Sequence, residues 1–202
     1  MKSINLLITI FLFVLCSIAI AQPDAGEKLA ELQSRFDSIY DLSATITQSV
    51  SGKTIFTGKI LYKKENKLRF EFKNILVVSD GETSWNYNMR ENKVIITNYA
   101  TEGTNILSIN QLIYEYPEEC DISAYEFDGQ TVLEFIPNTS TLSFSSVKLW
   151  IDDSNLVTRA LFEDPATGLI QIDLSNYKLN TNLPDSYFSF TPPEESEIID
   201  LR

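Results

Sequence analysis

Gly58-Lys59-Ile60-Leu61-Tyr62-Lys63-Lys64-Glu65-Asn66-Lys67-Leu68-Arg69-Phe70-Glu71-Phe72-Lys73 is the stretch that decides the fold class. Leu68, Phe70 and Phe72 alternate with Arg69, Glu71 and Lys73. That is the period of a strand with one face in a core and one in water. Ahead of the polar 63–67 turn, Phe56, Gly58, Ile60 and Tyr62 alternate with Thr57, Lys59, Leu61 and Lys63. Two alternating runs around a polar turn read as an antiparallel hairpin.

The same rhythm extends outward. Upstream, Ala44, Ile46 and Gln48 alternate with Thr45, Thr47 and Ser49, and Ser51-Gly52-Lys53 marks a turn. Downstream, residues 75–79 form a short apolar run that stops at the turn dipeptide Asp80-Gly81. Runs 83–87 and 93–99 flank a polar turn. After an interruption, strands are expected at 122–127, 131–136, 144–151, 156–163 and 168–178, the last two joined by Asp164-Pro165-Ala166-Thr167. A last short strand at 187–191 is expected to lead into an acidic tail. About ten strands, mostly hairpin-linked, make the chain mainly β.

Two segments follow a helical period instead. In 24–40, Leu29, Leu32, Phe36 and Ile39 share one face, Lys28, Glu31, Arg35 and Asp37 take much of the rest, and Asp24 with Glu27 forms a loose capping box. In 104–116, Ile106, Ile109, Ile113 and Tyr116 fall at helical spacing beside Leu107 and Leu112, and Pro117 helps to end them. Aromatic residues recur on alternating strand positions, among them Phe56, Phe70, Phe72, Trp85, Tyr87, Phe135, Phe144 and Phe162. They fit a filled barrel or sandwich core, which base rates favour, or an apolar cavity between a curved sheet and the inserted helices.

Composition narrows the function. The chain has 202 residues, of which 16 are Lys or Arg and 28 Asp or Glu, for a net charge of −12. Sequence-independent binding to nucleic acid or to an anionic membrane needs a basic face, so neither is expected. Histidine is absent, which removes Ser-His-Asp and Cys-His catalysis and the commonest zinc ligand. No phosphate loop, dinucleotide fingerprint or Cys-x-x-Cys pair occurs. The acidic pairs Asp152-Asp153 and Glu194-Glu195 sit in turn-like or tail-like segments, where solvated charge explains them. Asp152-Asp153-Ser154-Asn155 lacks the glycine and terminal glutamate of an EF-hand and reads as an ordinary turn. No enzyme activity, metal or cofactor is expected.

The N-terminus carries an address. Met1-Lys2-Ser3, an apolar run over 6–15 and Ala19-Ile20-Ala21 have the form of a cleaved secretory signal with the cut after Ala21. Residues 22–202 then form a single domain, with Cys120 as its one cysteine. Cys16 is preceded by the bulky Leu15, which argues against its acylation.

Val77-Val78-Ser79-Asp80-Gly81-Glu82-Thr83-Ser84-Trp85-Asn86-Tyr87-Asn88 resembles the signature of the periplasmic outer-membrane lipoprotein carrier family, LolA. That family has a Val-Ser-Asp-Gly turn followed by a Trp and a nearby Tyr. Gly58–Lys64 and Leu68–Phe72 resemble its strand pair around a basic-proline turn, and Phe188-Ser189-Phe190-Thr191-Pro192-Pro193 resembles its C-terminal Phe-x-Phe-x-x-Pro. The order of elements agrees over nearly the whole mature chain.

The resemblance implies an incomplete, strongly curved antiparallel β-barrel covered by an N-terminal helix and short internal lid helices. It implies a soluble, monomeric periplasmic carrier that takes acylated lipoproteins from an inner-membrane ABC-type transporter to an outer-membrane receptor. The lipid-binding surface is expected from Leu68, Phe70, Phe72, Trp85 and Tyr87, facing Ile106, Leu107 and Ile109 on the lid. The strand parity near Trp85 is open, because Ser84 and Asn86 carry no charge to fix the outside. Lys64 stands at the family's basic turn position and is expected to latch the lid, although Glu65 replaces the proline. A lipid-binding module for another amphiphile and a lipid-anchored receptor of the same pathway are the alternatives.

Overall fold

The computed structural model describes residues 23–99 and 111–202; the expected signal at 1–21 lies outside them. Helix α1 spans Ala25–Asp37. The Asp24 carboxylate accepts the Glu27 N–H at 2.8 Å, satisfying one donor that the helix cannot pair internally. The helix stops short of Tyr40 because Ser38 bonds back to the Arg35 carbonyl through both its N–H and its hydroxyl, the latter at 2.6 Å.

The chain then runs through β1 (Asp41–Val50), β2 (Lys53–Lys63), β3 (Lys67–Glu71), β4 (Ile75–Asp80), β5 (Thr83–Asn88) and β6 (Lys93–Asn98). Short helical turns occupy Gln111–Glu115 and Tyr116–Glu118. After them come β7 (Cys120–Phe127), β8 (Gln130–Pro137), β9 (Ser146–Ile151), β10 (Val157–Asp164), β11 (Gly168–Leu179), a helical turn at Asp185–Phe188 and β12 (Glu197–Asp200). All twelve strands form one open, curved sheet ordered β12-β6-β5-β4-β3-β2-β1-β11-β10-β9-β8-β7. Neighbours are antiparallel except β12 with β6. The expected incomplete barrel is therefore present, with two meanders joined where β1 pairs with both β2 and β11.

Local chemistry accounts for the curvature. Register shifts interrupt the β1–β11, β1–β2 and β9–β10 pairings, and such bulges bend and twist a strand. Gly58 sits on the concave face, where a Cβ would strike the Glu71 carbonyl and the Phe72 ring. Only glycine lets β2 and β3 coil this closely. The Ser51-Gly52 and Asp128-Gly129 turns have both central φ angles positive, between 47° and 79°, as tight hairpins require.

Register also sorts residues by face. Ala44, Ile60, Phe70 and Val77 stand side by side across β1–β4. Ile172, Ala160, Leu149, Leu133 and Ala124 continue across β11–β7. Together with Leu32 and Phe36 of α1 these belong to one buried core on the concave side. On the convex side Leu61, Arg69, Val78, Trp85 and Ile96 are aligned.

The C-terminus departs from expectation. Residues 187–191 are not a strand. The Asp185–Phe188 turn buries Phe188 to 1 % exposure against β3 and β4. Burying a phenylalanine ring is worth about 1.5–3 kcal/mol, whereas a strand at 187–191 would need a free sheet edge. The β6 edge is taken by the acidic tail, which forms β12 with a Glu197–Lys93 ion pair at 3.2 Å. The stretch between β11 and the 185–188 turn is pinned by the fully buried Asp41, whose carboxylate accepts the Thr181 and Leu183 N–H groups at 2.8 and 3.2 Å. Beside it, Lys63 donates to the Leu183 carbonyl and the Asp185 carboxylate at 2.9 and 2.7 Å.

Candidate functional site

The concave face of the sheet and the underside of α1 enclose an apolar cavity. The sheet contributes Leu42, Ala44, Ile46, Gln48, Phe56, Ile60, Phe70, Phe72, Ala160, Ile172, Leu174 and Tyr177. The roof contributes Leu32, Arg35 and Phe36 of α1, Ile39 after it, and Leu112 and Ile113 of the following helical turn. The cavity measures about 110 Å³. A dry cavity of about 150 Å³ holds a benzene molecule. A long alkyl chain needs more room than this cavity holds.

Among the described residues, few polar contacts hold the roof. At the start of α1, Lys28 Nζ donates to Asn155 Oδ1 in the β9–β10 turn at 2.6 Å. Gln33 Nε2 donates to the Ile113 carbonyl at 3.1 Å. The helix end converges on Asp37. Its carboxylate accepts the Tyr114 hydroxyl at 2.7 Å, and its carbonyl accepts Lys64 Nζ at 2.9 Å. Burial, then the hydrogen bond to Asp37, pushes the Tyr114 phenol well above its usual range. Below them, the Phe36 ring lies 5.2 Å from Tyr62 and 6.3 Å from Tyr114.

The Lys64 turn is shaped by its neighbours. Glu65 and Asn66 have φ of 69° and 60°, a conformation closed to proline, whose φ is fixed near −65°. A proline in place of Glu65 would not fit this turn. Glu65 pairs with Lys67 at 3.0 Å. Gly81, at φ 101°, packs so close that a Cβ would collide with the Glu65 carbonyl. The Ser79 hydroxyl accepts the Gly81 N–H at 3.1 Å, and the Asp80 carboxylate accepts the Glu82 and Thr83 N–H groups at 2.9 and 2.8 Å. The Ser-Asp-Gly turn is in this way the buttress of the Lys64 turn.

The site residues expected from sequence divide. Phe70 and Phe72 line the cavity, and Leu68 shares their face and packs against the adjoining core. Trp85 and Tyr87 do not join them. They pair with Val78 and Leu76, the positions of β4 whose side chains leave the opposite face from Val77. Tyr87 instead stacks 5.6 Å from Phe190 and donates to Asn92 at 3.0 Å. The parity that Ser84 and Asn86 left open is fixed by the C-terminal segment, which covers the convex side. Ile106, Leu107 and Ile109 lie outside the described residues. Lys64 meets the end of α1, where Nζ donates to the Asp37 carbonyl. Sequence reasoning placed Arg35 on the polar face of α1, whereas it lines the cavity. The 3-4-3 spacing of Leu29, Leu32, Phe36 and Ile39 was the available signal for the roof.

A family description, outer membrane lipoprotein carrier protein LolA, matches residues 37–191, more than half of the chain. The chain belongs to the LolA family. Outer-membrane lipoprotein carrier proteins of Legionella pneumophila (strain Lens) and Shewanella baltica (strain OS155) are 24 % and 26 % identical to it. The alignments cover 83 % and 94 % of this chain and 87 % and 91 % of theirs. An uncharacterized protein of Methanocaldococcus jannaschii is 25 % identical over 88 % of the chain, which spans only 54 % of that relative's length. Among solved structures, an uncharacterized conserved protein from Thermus thermophilus superposes with TM-score 0.59 at 14 % identity, covering 87 % of this chain and 98 % of that one. Mycobacterium tuberculosis lipoprotein LppX superposes with TM-score 0.51 at 13 % identity, covering 80 % and 99 %. These two likenesses bear on the LolA fold alone. Among the described residues, no helix is long and apolar enough to cross a membrane.

Proposed function

We propose that this LolA-family chain is a monomeric periplasmic carrier, exported by a cleaved signal and without enzymatic activity, that holds the acyl chains of lipoproteins between the concave sheet and the α1 roof. It takes them from an inner-membrane ABC-type transporter to an outer-membrane receptor. The observation that carries this reading is the apolar concavity under a helix that few polar contacts retain. Acyl burial is worth about 0.8 kcal/mol per CH₂. Leu32, Phe36 and Ile39 cover the same surface that the ligand would use. Loading exchanges one apolar contact for another, which keeps binding strong but reversible.

Native mass spectrometry of protein released from the periplasm by osmotic shock tests the reading. It expects a mature chain beginning at Gln22 with a bound acylated polypeptide. The altered Lys64-Glu65 turn supports a second reading, carriage of another amphiphile, for which the bound mass is a free lipid. A chain retained in membranes with an acylated Cys16 contradicts both and points to an anchored receptor.

A further inference from the structure

One charge stands in the cavity wall. The described lining residues include no Asp or Glu, although the chain carries 28 of them, and Arg35 is the only lining residue with a full charge. The Arg35 Nε is buried without a hydrogen-bond partner, and no ion pair reaches this guanidinium among the described residues. Its acidic neighbours on α1 are engaged elsewhere. Glu31 pairs with Lys28 at 3.3 Å, and the Asp37 carboxylate accepts Tyr114 at 2.7 Å. Of the other polar lining groups, Asn155 accepts Lys28, Tyr177 donates to the Val157 carbonyl at 2.6 Å, and Gln48 is neutral. A guanidinium nitrogen buried without a hydrogen-bond partner is costly. Its planar fork fits a carboxylate or phosphate in two parallel hydrogen bonds.

We infer that Arg35 is the headgroup-binding residue of the cavity and that the preferred ligand is an acyl chain ending in an oxyanion, a carboxylate or phosphate. This rests on the acyl-cavity reading and favours its second form, carriage of a free anionic amphiphile, because the acyl groups of a lipoprotein are neutral esters and amides. The tail lies against Phe36, Ile60 and Phe70, and the anion meets Arg35 where α1 crosses the concavity. Neutral acyl groups bind through the tail alone, and a cationic amphiphile is disfavoured.

Titration calorimetry with dodecanoate, dodecyl phosphate, methyl dodecanoate and dodecylammonium tests this on the mature chain. The expected result is binding of at least one oxyanion tenfold or more tighter than the ester, with the ammonium weaker than the ester; which oxyanion wins separates a fatty acid from a phosphate lipid. Arg35→Met is expected to erase the difference in affinity between the acid and the ester, and Arg35→Lys to keep part of the preference. Equal wild-type affinity for acid, phosphate and ester overturns the headgroup assignment and leaves the acyl cavity standing. Binding of none of the four ligands removes the acyl-cavity reading and this inference with it. Should Arg35→Met fail to fold, the wild-type series and Arg35→Lys still decide.

Discussion

Replacing Lys64 by leucine removes one of the contacts at the Asp37 junction without touching the cavity wall. Lys64 Nζ donates at 2.9 Å to the carbonyl of Asp37, the last residue of α1. That carbonyl is one the helix cannot pair internally, and a cation there also faces the negative end of the helix dipole. The contact is solvent-exposed, so screening and side-chain entropy hold its worth to about 0.5–1 kcal/mol. Its loss raises the population of open roof by about two- to fivefold. Hydrogen exchange of the α1 amides should accelerate by that factor while core-strand amides stay unchanged. Release of a bound fluorescent acyl probe to vesicles should accelerate equally. Lys64→Arg should match or slow the wild type, because the guanidinium offers more donors to the same carbonyl. If Lys64→Leu exchanges and releases at wild-type rates, Lys64 is a surface charge and the roof is held by its apolar packing and by contacts such as those of Tyr114, Gln33 and Lys28.

Other outcomes follow from the same geometry. Gly81→Ala places a Cβ against the Glu65 carbonyl at a positive φ and should cost at least about 2 kcal/mol, read as a fall in Tm; an unchanged Tm would show that the Ser-Asp-Gly turn does not buttress the Lys64 turn. Phe70→Ala should destabilise by about 3–5 kcal/mol and weaken acyl-probe binding, whereas Trp85→Ala should leave probe affinity at the wild-type value; loss of affinity in Trp85→Ala would return the convex face to the site. Burial and Asp37 raise the Tyr114 phenol, so its contribution to stability is complete below about pH 10 and is lost as pH rises through the raised value; Tyr114→Phe should flatten that alkaline decline. Hydrogen bonds and charge from Lys63 and Lys67 hold Asp185 below the usual carboxylate range. Its contribution is present above about pH 4 and fades as pH falls through the depressed value, and Asp185→Asn should lessen that acid loss.

The sheet was legible because alternation is a local signal. β1 to β11 follow the apolar period along the sequence, and the cap at Asp24 and the Asp-Gly turn at 128–129 mark their own boundaries. What was not legible depended on partners distant in sequence. Trp85 and Tyr87 alternate as well with their neighbours as Phe70 does, and only the return of Phe188 and Phe190 to the convex side decides which parity is covered. The acidic tail carries too much charge to announce a strand, yet Ile198 and Ile199 extend the sheet once β6 offers an edge and Lys93 a counter-charge. Arg35 read as polar surface because helical spacing gives a direction, not the depth of the concavity below it. Lys64 was placed by its turn, but its acceptor is set by where α1 ends, which Ser38 determines.

The central claim is that acyl chains lie on the concave face beneath α1. Photocrosslinking with a lipopeptide whose acyl chain carries a diazirine, followed by mapping of the labelled residues, addresses it most directly. The account predicts label on Phe36, Ile60, Phe70, Phe72 and Leu112, competed away by unlabelled lipopeptide. Label concentrated on Trp85, Tyr87 and Phe190, or spread evenly over both faces of the sheet, would contradict it.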